Sequence, residues 1–144
     1  MIRDLVYFNN PILKTVCDDV DVENDDIKQD VIDMIDTMKR YKGCGLSASQ
    51  IGITKRFAII ELEDGDILTI INPIIRNMSD KMINGKEGCL SYPKISKNIK
   101  RAEWIVIEYT DIHGFKIITL FEGLEARIIQ HEMNHMDGRC LVGV

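Results

Sequence analysis

The sequence has no apolar run long enough to span a bilayer. Its N-terminal stretch carries Arg3, but Leu5-Val6-Tyr7-Phe8 is too short even for a signal-peptide core. It has no excess of positive charge: the formal net charge of −5 argues against a broad nucleic-acid-binding face, though not against a local basic patch. It has no C-x-x-C pair among Cys17, Cys44, Cys89 and Cys140, so free thiols or metal ligands are expected in a reducing compartment rather than disulfides. It has no repeat, no low-complexity tract and no linker rich in Pro, Gly or Ser. These absences leave one expectation: a single domain over residues 1–144, cytoplasmic, with no membrane and no direct nucleic-acid partner.

The sequence does carry periodic signal. Asn10 before Pro11 reads as the cap and first position of a short helical turn. A stronger helix is expected from about Asp25, with Ile27, Val31, Met34, Ile35 and Met38 on one face. Gly43 and Gly45 should end it, and two glycines around Cys44 suggest a close approach to the backbone. Phe57 to Leu62 and Ile67 to Ile75 read as a hairpin turning at Asp64-Gly65, with Pro73 marking an edge or a bend. Trp104 to Thr110 and Phe115 to Phe121 read as a second hairpin, and Gly123 to about Met136 as a last helix. The fold class is therefore α+β, with mostly antiparallel sheet packed around the C-terminal helix.

That helix contains His131-Glu132-Met133-Asn134-His135. Residues four apart are offset by only about 40° around a helix axis, so both imidazoles face one way and suit one metal ion. Glu132 lies about 100° further round, able to reach a water at the metal without binding the metal itself. This is an arrangement for metal-assisted hydrolysis, in which the ion acidifies water and a carboxylate takes and returns the proton. Two surface histidines that merely flank a glutamate would show the same short pattern. Here, however, two of the three histidines in the chain fall inside it.

A catalytic ion needs a third protein ligand and an open position. The chain stops nine residues after His135, and no His or Glu lies in that tail, so the third ligand is expected from upstream. Cys89, Cys44, Cys17, Cys140, His113 and several carboxylates are all available. Cys17 reads as core packing, Cys140 beside Leu141-Val142 as a buried thiol, and His113 as an exposed turn residue. Cys89 follows Gly88 at the end of a strand, which is a weak signal by itself.

Three segments together resemble one family, the peptide deformylases. Gly43-Cys44-Gly45-Leu46-Ser47-Ala48-Ser49-Gln50 resembles a G-x-G-L-A-A-x-Q motif, Glu87-Gly88-Cys89-Leu90-Ser91 matches E-G-C-L-S, and Gln130 to His135 resembles Q-H-E-x-D-H. Asn72-Pro73, Arg101-Ala102-Glu103 and Ala126-Arg127 look like further positions of that family. The resemblance implies antiparallel strands around a central helix and removal of the formyl group from the N-terminal formyl-methionine of new polypeptides. It implies Cys89, His131 and His135 as ligands of one divalent metal, Fe²⁺ natively, with Ni²⁺, Co²⁺ or Zn²⁺ as substitutes. It implies Glu132 as proton carrier, with the Gln50 side chain and the Leu90 backbone N–H stabilising the oxyanion. Cys44, Gly45, Glu87, Gly88, Leu124, Arg127 and Ile128 are then expected to bind the substrate. Leu124, Arg127 and Ile128 share the His131 face, and Arg127 would lend its alkyl stem while its charge reaches solvent. The Gly43–Leu46 backbone would pair with the extended peptide as an added strand.

Two residues depart from the motifs. Ser47 stands where the family has Ala, adding one hydroxyl that needs a partner. Asn134 stands where it has Asp; it keeps hydrogen bonding, with Arg101 as a possible partner, and loses charge, so a modest loss of stability rather than of chemistry is expected. The C-terminal extension linked to ribosome contact in many members is absent, which suggests a minimal form and weighs against ribosome docking. Two rival functions remain: a protease reusing H-E-x-x-H with another third ligand, or a non-enzyme whose structural ion is closed by a fourth ligand such as Cys44 or Cys140.

Overall fold

The computed structural model describes residues 1–141. Asn10 caps a 3₁₀ turn over Pro11–Lys14, its side chain accepting from the Ile12 N–H at 3.0 Å. Helix α1 spans Lys28–Arg40, starting later than Asp25. The preceding acidic residues are held in turns instead: the Asp21 carboxylate accepts the Glu23 and Asn24 N–H groups, and the Asp25 N–H goes to the Asp21 carbonyl. Such local bonds offer the backbone an alternative to the helix. Val31, Met34 and Met38 form the buried face of α1, with Ile27 at its cap and Ile35 packed at the margin. The left-handed residue after α1 is Lys42, at φ 57°, not a glycine. Gly45, expected as part of the helix stop, already lies in a strand.

Seven strands follow: β1 Gly45–Ser47, β2 Phe57–Glu61, β3 Ile67–Met78, β4 Met82–Cys89, β5 Tyr92–Ala102, β6 Trp104–Thr110 and β7 Lys116–Glu122. A 3₁₀ turn, Ala48–Ile51, joins β1 to the chain leading into β2, and helix α2 runs Gly123–Met136. The main sheet has the order β1-β2-β3-β6-β7 and is antiparallel throughout; β4 and β5 pair as a separate two-stranded ribbon. This is the α+β architecture expected from the sequence, including both hairpins and the last helix. No helix among the described residues is long and apolar enough to cross a membrane.

The main sheet is covered on both faces. Along β2, Phe57 and Ile59 pack toward α1 with Met34, Met38, Leu46 and Ile71, while Ala58 and Ile60 pack toward α2 with Ile105, Ile107, Ala126 and Ile129. Alternate residues of a strand point to opposite faces, so a strand buried on both sides reads as a continuous apolar run. Pro73 lies in an inner strand rather than at an edge. The ladder absorbs it by a register shift between Ile71 and Ile74, with Asn72 at φ 52° and its side chain bonded to both the N–H and the carbonyl of Val20. A strand end at Cys89 was expected and is there, but the extent of β4 and the whole of β5 went unpredicted because most of their side chains are exposed and polar, so the alternation that marks a strand is faint.

The Ser47 hydroxyl is fully buried and has no hydrogen-bond partner among the described residues. An unpaired buried hydroxyl costs about 1–3 kcal/mol. Ser47→Ala is therefore expected to stabilise the fold by about 1 kcal/mol, raising Tm by roughly 3 °C. A Tm unchanged or lowered in thermal unfolding would mean that the hydroxyl is satisfied.

Candidate metal centre

Helix α2 is held by its own polar residues as well as by its apolar face. The buried Gln130 side chain accepts from the Ala102 N–H at 3.1 Å and donates to the Ala102 carbonyl at 3.0 Å, which ties the helix to the end of β5. This places His131 and His135, both buried, with ring centroids 5.0 Å apart. Cys89, at the end of β4, brings its Sγ to 3.3 Å from His135 Nε2. The Cys140 Sγ lies 3.8 Å from His131 Nε2, and the ligand atoms of Cys89, His131, His135 and Cys140 all lie within 4.8 Å of one another. Tetrahedral zinc with bonds of about 2.0–2.3 Å separates its ligand atoms by roughly 3.3–3.8 Å.

Behind His131 stands a buried charge network. His131 Nδ1 meets Glu87 Oε1 at 2.9 Å, which leaves Nε2 to face the cluster. Arg101 makes two bonds to Glu87, each 2.9 Å, and also reaches Asn134 Oδ1. Arg127 donates to Glu87 at 2.6 Å and to the carbonyls of Ile99 and Ile83. The Arg127 charge is thus paired inside the protein, which corrects the expectation that it reaches solvent: three acceptors on β4 and β5 capture it. Burial pushes the Glu87 carboxyl upward, but Arg101 and then His131 outweigh this and hold it below the usual carboxylate range.

The donor set calls for a cation. The Cys89 thiol is held far below its ordinary range, first by the hydrogen bond from Cys140 and then, against burial, by the two imidazoles. His131 is pushed up to about 10: burial opposes this, and Cys89 and Glu87 overcome it. Glu132 is buried, and that burial raises its pKa; its Oε1 has no hydrogen-bond partner among the described residues. A thiolate and two imidazoles that converge on one point, with the unpartnered Glu132 carboxyl on the same cleft wall, fit a divalent ion.

A cleft of about 820 Å³ opens onto this point, where Cys89, His131 and Glu132 meet its wall. All seven expected substrate-binding residues, Cys44, Gly45, Glu87, Gly88, Leu124, Arg127 and Ile128, line it. Leu5, Tyr92 and Ile95 line it too, and the sequence offered no sign of them. Gln50 sits in the 3₁₀ turn after β1. Its Oε1 accepts the Ser47 N–H at 3.0 Å, and its Nε2 donates to Ser91 Oγ at 3.0 Å and points at Cys89 Sγ at 3.5 Å. Leu90 follows Cys89 and also lines the cleft. Cys17 is buried in the core and His113 is exposed in the β6–β7 turn, both as expected. Cys140 is not merely an apolar thiol. It is buried beside Leu141 as expected, and packs with Tyr92 and Ile99 as well, yet the turn after α2 carries its sulfur into the cluster. Val142, read as its apolar neighbour, lies outside the described residues.

The polypeptide deformylase family model matches residues 2–143. The chain belongs to the peptide deformylase family. It is 39% identical to a peptide deformylase of Orientia tsutsugamushi (strain Ikeda), covering 98% of this chain and 85% of that one. It is also 39% identical to one of Dictyoglomus thermophilum, covering 99% and 92%. Among solved structures, a peptide deformylase from Thermotoga maritima superposes with a TM-score of 0.94 at 31% identity, over 99% of this chain and 96% of that one. A class I type b peptide deformylase from Acinetobacter baumannii with Met-Ala-Ser bound superposes with a TM-score of 0.93 at 30% identity, over 100% and 99%.

In this deformylase the bare backbone at Gly45 makes room for Glu132. A Cβ there would lie 2.6 Å from Glu132 Oε2 and 2.9 Å from Ile128 Cγ2. Gly45→Ala should push the carboxylate aside, and a displacement near 1 Å costs about 10²-fold in turnover. Steady-state kinetics with unchanged metal content tests this; a loss under threefold would show that Glu132 swings clear without consequence.

Proposed function

We propose that Cys89, His131 and His135 hold one divalent cation and that this site removes the formyl group from N-formylmethionyl peptides. Fe²⁺ is the native ion in this reading, with Ni²⁺, Co²⁺ or Zn²⁺ able to replace it, and the enzyme acts as a cytoplasmic monomer. When bound, the ion supplies Lewis acidity and lowers the pKa of water. The single observation that carries the proposal is that Glu132 opens, beside Cys89 and His131, onto a cleft with an apolar wall.

The methionine side chain enters between Leu124, Ile128 and the Cys44–Gly45 backbone. The peptide runs along β1, an edge strand of the main sheet that pairs with no strand but β2 among the described residues. The relative with Met-Ala-Ser bound supports a peptide that begins with methionine as the ligand. Gln50 is positioned to donate: one amide hydrogen is anchored on Ser91 Oγ, and the other, aimed weakly at Cys89 Sγ, can turn to a developing oxyanion. The Leu90 backbone N–H is the second donor. Glu132 accepts a proton from the attacking water and delivers it to the leaving amine nitrogen, so formamide and water become formate and a free amine.

The test is anaerobic incubation of Fe²⁺- or Ni²⁺-loaded protein with a short formyl-Met peptide, read by formate assay and mass spectrometry. Formate with an intact, deformylated peptide is the expected result. Internal cleavage would favour a protease, and neither product from protein holding one metal per chain would favour a non-catalytic ion.

A further inference from the structure

We propose that Cys140 is a fourth protein ligand of the resting metal centre, approaching from the side away from the cleft. The inference rests on the reading of Cys89, His131 and His135 as the other ligands. Cys140 is only 4% exposed, and its Sγ is aimed into the cluster, 3.8 Å from His131 Nε2. All four ligand atoms fall within 4.8 Å, so shifts of about 1 Å or less bring them to the roughly 3.3–3.8 Å spacing of a tetrahedral ion.

The segment that delivers this sulfur is tied down. Gly138 adopts φ 76° and donates to the His135 carbonyl at 3.0 Å, the Arg139 N–H bonds the Asn134 carbonyl at 2.9 Å, and the Lys97 ammonium donates to the Leu141 carbonyl at 2.9 Å. The turn at Gly138 has no room for a side chain, since a Cβ there would lie 2.6 Å from the Lys14 carbonyl oxygen. Cys140 therefore arrives at the cluster through a built turn. Cys89, His131 and Glu132 line the cleft, whereas Cys140 packs behind them against Tyr92, Ile99 and Leu141.

Two thiolates and two neutral imidazoles bring a divalent ion to zero net charge, against +1 with Cys89 alone. The resting ion is then a weaker Lewis acid and is held by a set that suits zinc or another borderline metal. Cys140 does not line the cleft, so a bound ion would keep its cleft side open to the attacking water, as a fifth ligand of the kind catalytic zinc tolerates.

X-ray absorption on the full chain, reduced and loaded with Zn²⁺ under anaerobic conditions, counts the sulfurs directly. Two sulfur scatterers at about 2.3 Å with two imidazoles are expected in the wild type, and one sulfur in Cys140→Ala. In Co²⁺-loaded protein the thiolate charge-transfer absorption should fall by about half in Cys140→Ala, and zinc loss to a chelator should quicken by roughly tenfold or more. One sulfur with two imidazoles in the wild type overturns the fourth ligand and leaves the three-ligand reading standing. Absence of the Cys89 and histidine scatterers overturns both. The wild-type count needs no variant to fold. Two sulfurs in a protein that releases no formate would support the ligand and overturn the proposed activity.

Discussion

Glu132→Gln is expected to cut formate release by about 10²–10⁴-fold while one metal ion per chain is retained. The substitution keeps the volume of a side chain that is buried at the cleft wall and packed against the bare backbone of Gly45. It removes only the ability to take and give a proton. Burial already disfavours the charged carboxylate, so the fold loses little when the group becomes a neutral amide. Metal content by elemental analysis and single-turnover formate release separate the two roles. Activity within tenfold of wild type would show that another group carries the proton. Loss of the ion along with activity would place Glu132 among the ligands.

The second large effect concerns stability and metal affinity together. Glu87 accepts from Arg101 and Arg127 and holds His131 by Nδ1. In Glu87→Gln the Arg101 guanidinium, only 5% exposed, loses its buried counter-charge. Breaking a buried pair from one side costs about 3–5 kcal/mol, and removing the partner of a ligating histidine costs about 10–100-fold in metal affinity. Urea unfolding and competition with a chelator read the two quantities separately. The pH dependence has a definite sign. The folded Glu87 carboxyl lies below its ordinary 4.5, so its contribution is full above that pH and fades as the pH falls through the folded value. The wild type should lose more stability than Glu87→Gln on acidification below about pH 4.5. A variant within 1 kcal/mol of wild type would show that Asn134 alone suffices to hold Arg101.

The site was legible where one helix or one motif encodes it. The spacing of His131 and His135 puts both rings on one face of α2, and any helix of that sequence would do so. Cys89 was legible through the motif around it and hardly at all through its own surroundings. Arg127 lies on the cleft face as expected, but its partners were not foreseen, because the Glu87 carboxylate and the two backbone carbonyls that capture it sit on strands that showed little alternation. Glu87 appeared as part of a motif, while its hold on His131 depends on how the ribbon meets α2. Cys140 is buried as expected, but its place beside the histidines was not legible because periodicity ends with the helix. Its position comes from the left-handed turn at Gly138, which apolar patterning does not report. The start of α1 was drawn too early for a similar reason, since side-chain bonds around Asp21 compete with the helix.

The pairing of β3 directly with β6 makes the β4–β5 ribbon an excursion from the main sheet. Cys89 is carried on that excursion, whereas both histidines belong to a helix packed in the core. With few buried side chains of its own, the ribbon forms a cooperative unit of lower opening free energy than the sheet. Its amide hydrogens therefore exchange with solvent sooner than those of β2 or β6. An ion held as proposed between Cys89 and α2 would couple the two units, so that a ribbon opening separately in the metal-free protein would open with the rest of the fold once the ion is bound.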